Sequence, residues 1–439
     1  MSRKERKRIA LIVNTLSSGG AEHVAANLSR ALSDRYDIDL ILNDDKNITY
    51  PHAGSIVSLG MPADSDRMGA RYQLSALIRR TALLRRLKRD RRYAASYSFS
   101  DNTNLSNVLS GSRFGRTVIS VRYSLDGKER SEKRKAYFSR LNLSICCLLA
   151  DTVVSCSKEI GDELHRKYLC RRGKLRAIYN GVDHEAIKRA PDDLRADKSG
   201  GGEERIPSIV SVGRLSVQKA QWHLLYALRE LKDRGLTVHL TVLGEGSLRG
   251  ELEKLCRELG IEEQVSMPGW VDDVHRYMNS ADAAVITSDY EGFCNAILEA
   301  MAYGVPCIST DHRTGAREML APDTDYSIKV TDRADYAEYG VLVPVCQAGM
   351  KRSSGSSPAK EEIILADAIQ RVLTDTELAD KYREAGIRRT EELSLEASAA
   401  KWAEEAEKHS PRMIRNKKGY QAAGAAIGQL PDDNTEDNI

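Results

Sequence analysis

Long apolar runs are missing from this 439-residue chain. No stretch reaches the roughly 18–20 uninterrupted apolar residues that a membrane-spanning helix needs. The best one, Leu141 to Ala150, already contains Asn142 and Ser144 and ends at Asp151. The basic start, Met1 to Arg8, is followed only by Ile9 to Val13, too short for a signal-peptide core, so the expected location is the cytoplasm. Cysteine is present eight times (146, 147, 156, 170, 256, 294, 307 and 346) but never as CxxC, and mostly within apolar runs. These read as reduced core residues with no metal or redox duty. Aromatics make up only 6% of the chain and no nucleic-acid motif accompanies its charge, which argues against a nucleic-acid partner. An excess of one charge sign is also lacking, since the formal net charge is +3. The distribution is nevertheless uneven. Residues 1–200 hold 38 Lys and Arg against 23 Asp and Glu, and the remainder holds 28 against 40. A basic first half joined to an acidic second half points to an anionic partner for the first.

What is present is alternation. At roughly 150 residues per domain the length suggests two or three domains, and 41% hydrophobic with 29% charged residues is an ordinary globular composition. In the first half, strands are predicted at 9–13, 37–42, 94–99, 116–121, 152–156 and 175–179. Helices fit between them, at 104–109, 131–149 and 158–168 and where Val24, Leu28 and Leu32 recur every four residues. A polar, glycine-rich stretch over 190–206 reads as a linker. The alternation then restarts, with strands at 208–212, 237–243, 264–267, 283–287 and 306–309 and helices at 220–231, 247–259, 273–279 and 296–303. Segment 351–358 reads as a surface loop, 363–373, 377–388 and 394–406 as closing helices, and the polar end as a tail. Strand–helix alternation implies right-handed βαβ units and parallel sheets. The expected fold class is α/β with two facing Rossmann-like domains and a cleft between them. The expected parts are residues 1–190, 191–395, a helix over 396–410 that returns to the first domain, and a tail over 411–439.

Ligands of such sheets sit at the carboxyl ends of strands, so the loops there are the places to look for chemistry. The most distinctive runs from Ser288 to Ile308 and carries Glu291 in a strand-to-helix turn and Glu299 two helical turns later. A rise of 1.5 Å per residue puts the two carboxylates roughly 12 Å apart. That exceeds the separation of a glycosidase acid/base pair and suits two hydroxyl-rich parts of one long ligand. The amides of Gly292 to Asn295 open the following helix, where a phosphate is favoured. A second loop, Val212-Gly-Arg-Leu-Ser-Val-Gln-Lys219, places Arg214 and Lys219 where two cations can neutralise a departing diphosphate. A third, Ser17 to Glu22, offers Gly19 and Gly20 before a helix; it is neither GxGxxG nor a P-loop. Asp37-Ile-Asp39 and Asp323-Thr-Asp325 have Asp-x-Asp spacing, which arises easily by chance, and no metal site is expected.

Together these stretches resemble the retaining glycosyltransferase family 4 over roughly residues 8–410. Glu291 and Glu299 match its two glutamates separated by seven residues, and Gly-Arg-Leu-x-x-x-Lys matches its basic loop, with Ala220 where a glycine is usual. The resemblance implies a GT-B type fold and a nucleotide-diphosphate sugar donor, most simply a UDP-sugar. It assigns Glu291 to donor-sugar hydroxyls, Glu299 to the ribose, and Gly213, Arg214, Lys219, Gly292, Phe293, Cys294 and Asn295 to the sugar and diphosphate. Val271 falls in the loop bordering the base, and Gly19 and Gly20 become neighbours of donor phosphate and acceptor. Glu291, Arg214 and Lys219 are the implied catalytic set, without metal or cofactor, because basic residues serve the diphosphate. Where many relatives have histidine, this chain has Arg122, which cannot act as a general base at neutral pH and suits an acceptor phosphate. Later stretches, Gly315 to Glu318 and Glu338 to Pro344, resemble family turns.

Residues 77–92 carry seven arginines and one lysine beside Leu74, Leu77, Ile78, Leu83, Leu84 and Leu87. A basic amphipathic helix of this kind suits anionic lipid headgroups. The expected protein is therefore a retaining transferase extending a glycan or polyprenyl-diphosphate-linked sugar in surface-polysaccharide synthesis, peripheral on the cytoplasmic membrane face. Alternatives are a UDP-sugar epimerase of the same plan or a non-catalytic sugar-nucleotide-binding protein.

Overall fold

The computed structural model describes residues 6–17, 19–62, 69–125, 136–188, 205–271, 273–350 and 357–408. Most of the expected linker, residues 351–356 of the expected loop, the tail and the first residues of the expected 131–149 helix lie outside the described residues. The described fold has two seven-stranded sheets. In the first, the order is β3-β2-β1-β4-β5-β6-β7, with β1 (Arg8–Val13), β2 (Asp37–Leu42), β3 (Ser55–Ser58), β4 (Ala95–Ser98), β5 (Arg116–Val121), β6 (Thr152–Ser155) and β7 (Leu175–Ala177). In the second it is β10-β9-β8-β11-β12-β14-β13. Its strands are β8 (Ser208–Val212), β9 (His239–Leu243), β10 (Val265–Gly269), β11 (Ala283–Ile286), β12 (Cys307–Thr310), β13 (Asp335–Tyr336) and β14 (Val341–Val343). Pairing is parallel at β1–β2, β1–β4, β8–β9 and β8–β11, and antiparallel at the β13–β14 edge. Both sheets reverse strand order beside their first strand, as Rossmann-type sheets do. Their central strands are largely buried, β5 and β11 at every residue, because helices cover both faces of a parallel sheet.

The described residues pack as two compact units, those within 1–120, 142–153 and 402–439 and those within 121–141 and 154–401. The first is closed by Trp402, whose ring lies 5.5 Å from Tyr97 and 5.5 Å from Phe99, and by Glu405, which binds Arg116 at 3.2 Å and Thr152 at 2.7 Å. In the second, helices Trp222–Asp233 and Lys360–Thr374 share one apolar core with β8, β9 and β11.

Several elements escape the sequence patterns, among them β13, helix His184–Lys188 and three more. Strand β3 is short and mostly exposed, so it shows no apolar run. The stretches read as turns at 315–318 and 338–344 contain helix Ala316–Leu320 and strand β14, both buried throughout. The basic segment forms helix Ala70–Arg91, but its apolar residues do not form one stripe. Leu84 is buried and Leu83 and Leu87 pack against the same core, whereas Leu74 and Ile78 are about 60% exposed (60% and 62%). Two of its cations turn inward. Arg80 donates to Asn43 Oδ1, and Lys88 donates to Asn107 O, Gly111 O and Thr117 Oγ1. No helix among the described residues is long and apolar enough to cross a membrane.

Candidate functional site

The second sheet reverses order between β8 and β11, so the loops that follow these strands border the crevice where open α/β sheets bind ligands. Those two loops are stitched together. The Asp289 amide donates to Gln218 O at 2.9 Å, Thr287 Oγ1 donates to Lys219 O at 3.0 Å, and Gln218 Nε2 donates to Tyr290 O at 2.9 Å. Neighbouring loops are held in line by Gly213 N–H to Leu243 O and Gly244 N–H to Gly269 O, each 2.9 Å. That row leads to Val271, which is half-buried beyond β10.

At the junction Lys219 Nζ meets Glu291 Oε1 at 2.6 Å, with only 19% and 11% of the two side chains exposed. Ser288 Oγ donates to the same oxygen at 2.7 Å, and Gln218 Nε2 reaches Oε2 at 3.3 Å. Burial alone would raise the Glu291 carboxyl, but Lys219, His312 and the hydroxyl of Ser288 hold it below the ordinary value. The Lys219 ammonium is opposed by the same burial, yet Glu291 keeps it firmly protonated. Gly213 makes the close approach possible. It has φ 155°, and a Cβ there would stand 2.9 Å from Lys219 Cε. Arg214 is exposed, and its guanidinium has no ion pair among the described residues.

Helix Asn295–Ala302 starts directly after this loop without a side-chain cap on Cys294, and the Ile297 amide donates to Cys294 O at 3.1 Å. Burial pushes the Cys294 thiol up to about 11, which makes it inert. On the same helix Glu299 is half-buried and pairs with no described cation, and burial raises its carboxyl to about 7.

Arg122 also belongs here. A Cβ on Gly292 would stand 2.1 Å from Arg122 O, so only glycine permits this backbone contact. The Arg122 guanidinium donates to Asn180 Oδ1, and Asn180 Nδ2 donates to Asn295 Oδ1. Tyr179 stacks on Phe293, with centroids 5.3 Å apart and planes inclined by 14°. Its hydroxyl donates to Glu318 at 2.7 Å, and Glu318 also accepts the Lys158 and Glu159 amides at the start of helix Lys158–Lys167.

Gly213, Lys219, Glu291, Gly292, Phe293, Asn295 and Arg122 are thus joined through direct contacts, with Arg214, Cys294, Glu299 and Val271 on the same loops and helix. Gly19 and Gly20 belong to the first unit. Gly19 has φ 117°, its amide donates to Tyr50 Oη at 3.2 Å, and Gly20 opens helix Gly20–Leu32. Of the two Asp-x-Asp pairs, the first is spent internally, since Asp39 accepts from Arg91 at 2.7 Å and Tyr93 Oη at 2.5 Å. Sequence reasoning missed Gln218, Ser288 and His312 as partners of Glu291, although Ser288 stands only three residues before it. His312 is fully buried, and burial lowers its pKa. Nothing in the local sequence of Tyr179 and Asn180 announces their contacts with Phe293 and Asn295.

Two sequence families match. The model described as Glycosyltransferase Family 4 matches residues 18–186, and the one described as Glycosyl transferases group 1 matches residues 195–339. An uncharacterized glycosyltransferase of Methanocaldococcus jannaschii is 29% identical over 195 residues, which is 44% of this chain and 48% of that protein. The N-acetylgalactosamine-N,N'-diacetylbacillosaminyl-diphospho-undecaprenol 4-alpha-N-acetylgalactosaminyltransferase of Campylobacter jejuni is 28% identical over 347 residues, 77% of this chain and 86% of that protein. The chain thus spans about half the length of the first relative and most of the second. Among solved structures, an Anabaena protein crystallised with UDP and glucose has TM-score 0.67 and 19% identity, covering 91% of this chain and 99% of that one.

Proposed function

We propose that this chain, with its two Rossmann-like domains, is a glycosyltransferase that takes its sugar from a nucleotide-diphosphate donor, most simply a UDP-sugar. One observation carries the reading. The loops after β8 and β11 converge at the strand-order reversal with Lys219 on Glu291, and Glu299 waits one helix further on without a described cation. Arg214 and Lys219 then neutralise the diphosphate as it leaves, a charge that develops in the transition state. Because Glu291 already occupies Lys219, the exposed Arg214 is the first cation to engage the anion. Glu291 turns its less-occupied Oε2 to a sugar hydroxyl, and Glu299 accepts from the ribose. The amides from Gly292 to Asn295 serve the sugar and the diphosphate, with Gly213, Phe293 and Cys294 lining them and Val271 beside the base.

The acceptor reading rests on Arg122, a cation tied to Asn295 through Asn180, and on the Campylobacter relative's diphospho-undecaprenol-linked acceptor. A glycan or polyprenyl-diphosphate-linked sugar fits a basic first half, and transfer with retention needs no protein nucleophile if the leaving phosphate receives the acceptor proton. The chain's part is positioning and charge stabilisation, with no metal at the diphosphate. Arginines beside the exposed Leu74 and Ile78 suit a peripheral seat on an anionic, cytoplasmic membrane face.

Thermal unfolding against UDP-, GDP- and ADP-sugars tests the donor. A ligand at 100 times its Kd stabilises by about 2.7 kcal/mol. A midpoint shift with a UDP-sugar that is lost in Lys219→Ala and Glu299→Ala supports the reading. No shift with any nucleotide sugar overturns it.

A further inference from the structure

Outside that site, three side chains with metal-binding chemistry meet in the core of the second unit. His223 lies in the first turn of helix Trp222–Asp233, Glu362 in the first turn of helix Lys360–Thr374, and Cys346 follows β14. Their exposures are 3%, 0% and 5%, and one donor atom from each lies within 4.8 Å of the other two. His223 Nδ1 is 2.7 Å from Glu362 Oε1. The carboxylate is oriented from its other side, where Oε2 accepts the Ala359 amide at 2.7 Å. A further carboxylate is at hand, with Glu361 Oε2 3.8 Å from Cys346 Sγ.

We propose that His223, Cys346 and Glu362 bind a divalent ion of the zinc type, which clamps the two helices to the segment after β14. Thiolate, imidazole and carboxylate are zinc's ligand types, and in a tetrahedral site with bonds of about 2.0–2.3 Å the donors stand roughly 3–4 Å apart. The present spacing needs only small side-chain movements to reach that. Charge also balances. Binding releases one proton, from the Cys346 thiol, and sets a dipositive ion against one thiolate and one carboxylate. The buried complex is neutral, which avoids the cost of an uncompensated ion in an apolar core. The imidazole remains neutral and carries its proton on whichever nitrogen the ion leaves free. Nε2 has no hydrogen-bond partner among the described residues, so nothing from that side fixes the tautomer. The cysteines show no CxxC signal because these donors come from three separate elements.

The test uses the full chain, stripped with a chelator and titrated with Co²⁺. The expected result is a near-ultraviolet thiolate-to-cobalt absorption that saturates at one equivalent and disappears when Zn²⁺ is added. Zinc should also raise the thermal midpoint of the stripped protein. Cys346→Ser should lose the band, and Glu362→Gln, which is isosteric, should weaken cobalt binding at least tenfold while keeping the band. Wild-type protein without the band overturns the proposal, leaving a His–Glu hydrogen bond beside a thiol. So does an unchanged band in Cys346→Ser, which would place the metal on another cysteine.

Discussion

Lys219 and Glu291 neutralise each other in a nearly dry corner, so neither can be removed alone without consequence. Lys219→Met keeps the stem but strands a buried carboxylate. Because both side chains retain slight exposure, the expected loss is about 1–3 kcal/mol rather than the full penalty of a completely buried pair. Urea unfolding checks this, and titration with the nucleotide sugar should show donor affinity falling by about tenfold or more. Glu299 behaves differently because its carboxyl is raised, from 4.5 to about 7. The folded state holds that proton more tightly than the unfolded chain, so this group costs stability progressively as pH rises from about 4.5 through 7. Glu299→Gln should therefore match wild type at pH 4 and be more stable above pH 7, by about 1–2 kcal/mol after allowing for the residue's partial exposure. If Glu299 accepts from the ribose in its ionised form, wild-type donor affinity should climb through pH 7 while the variant's stays flat. Isothermal titration across that range reads the difference.

Among the elements, the turn from β11 into helix Asn295–Ala302 tolerates the least. Gly292→Ala puts a methyl group 2.1 Å from a carbonyl oxygen that belongs to the backbone. The turn must move, at about 2–4 kcal/mol, and donor binding should weaken with it; a thermal midpoint measured with and without nucleotide sugar separates the two effects. Most of this architecture was legible in the sequence. Strands β2, β5 and β8 fall on the predicted bounds because short β-branched and aliphatic runs, broken only by single polar residues such as Asp39, Ser120 and Ser211, alternate with helical patterns. Strand β3 was not legible, since an exposed edge carries no such run. Strand β14 was hidden by the glycine and proline on either side of three apolar residues, which look like turn punctuation. At the site, the cations and glutamates lie within short motifs. Asn180, Tyr179 and His312 act through contacts distant in sequence, and no local pattern encodes those. Helix Ala70–Arg91 shows the same limit in reverse. Its composition announces a basic amphipathic helix, but only the structure shows that Arg80 and Lys88 are spent internally and that Leu74 and Ile78 are the outward apolar pair.

For the molecule as a whole, the opposed charge of its two halves means that weak overall charge conceals a strongly basic portion. Binding to vesicles containing phosphatidylserine should exceed binding to phosphatidylcholine alone. It should fall as salt shortens the screening length to a few ångströms, and should drop further in Leu74→Ser/Ile78→Ser. Cosedimentation at two salt concentrations measures all three; equal binding to both lipids would remove the electrostatic attraction from the account. Finally, all eight cysteines are buried with free thiols, and burial pushes those of Cys156 and Cys294 up to about 11 and that of Cys256 up to about 12. Thiolates are the species that maleimides and iodoacetamides attack, so the native surface is almost silent to such reagents. A single cysteine introduced at an exposed position such as Leu74 would then take up a fluorophore or spin label nearly alone. The motions of this protein can be followed optically without first removing its own sulfur.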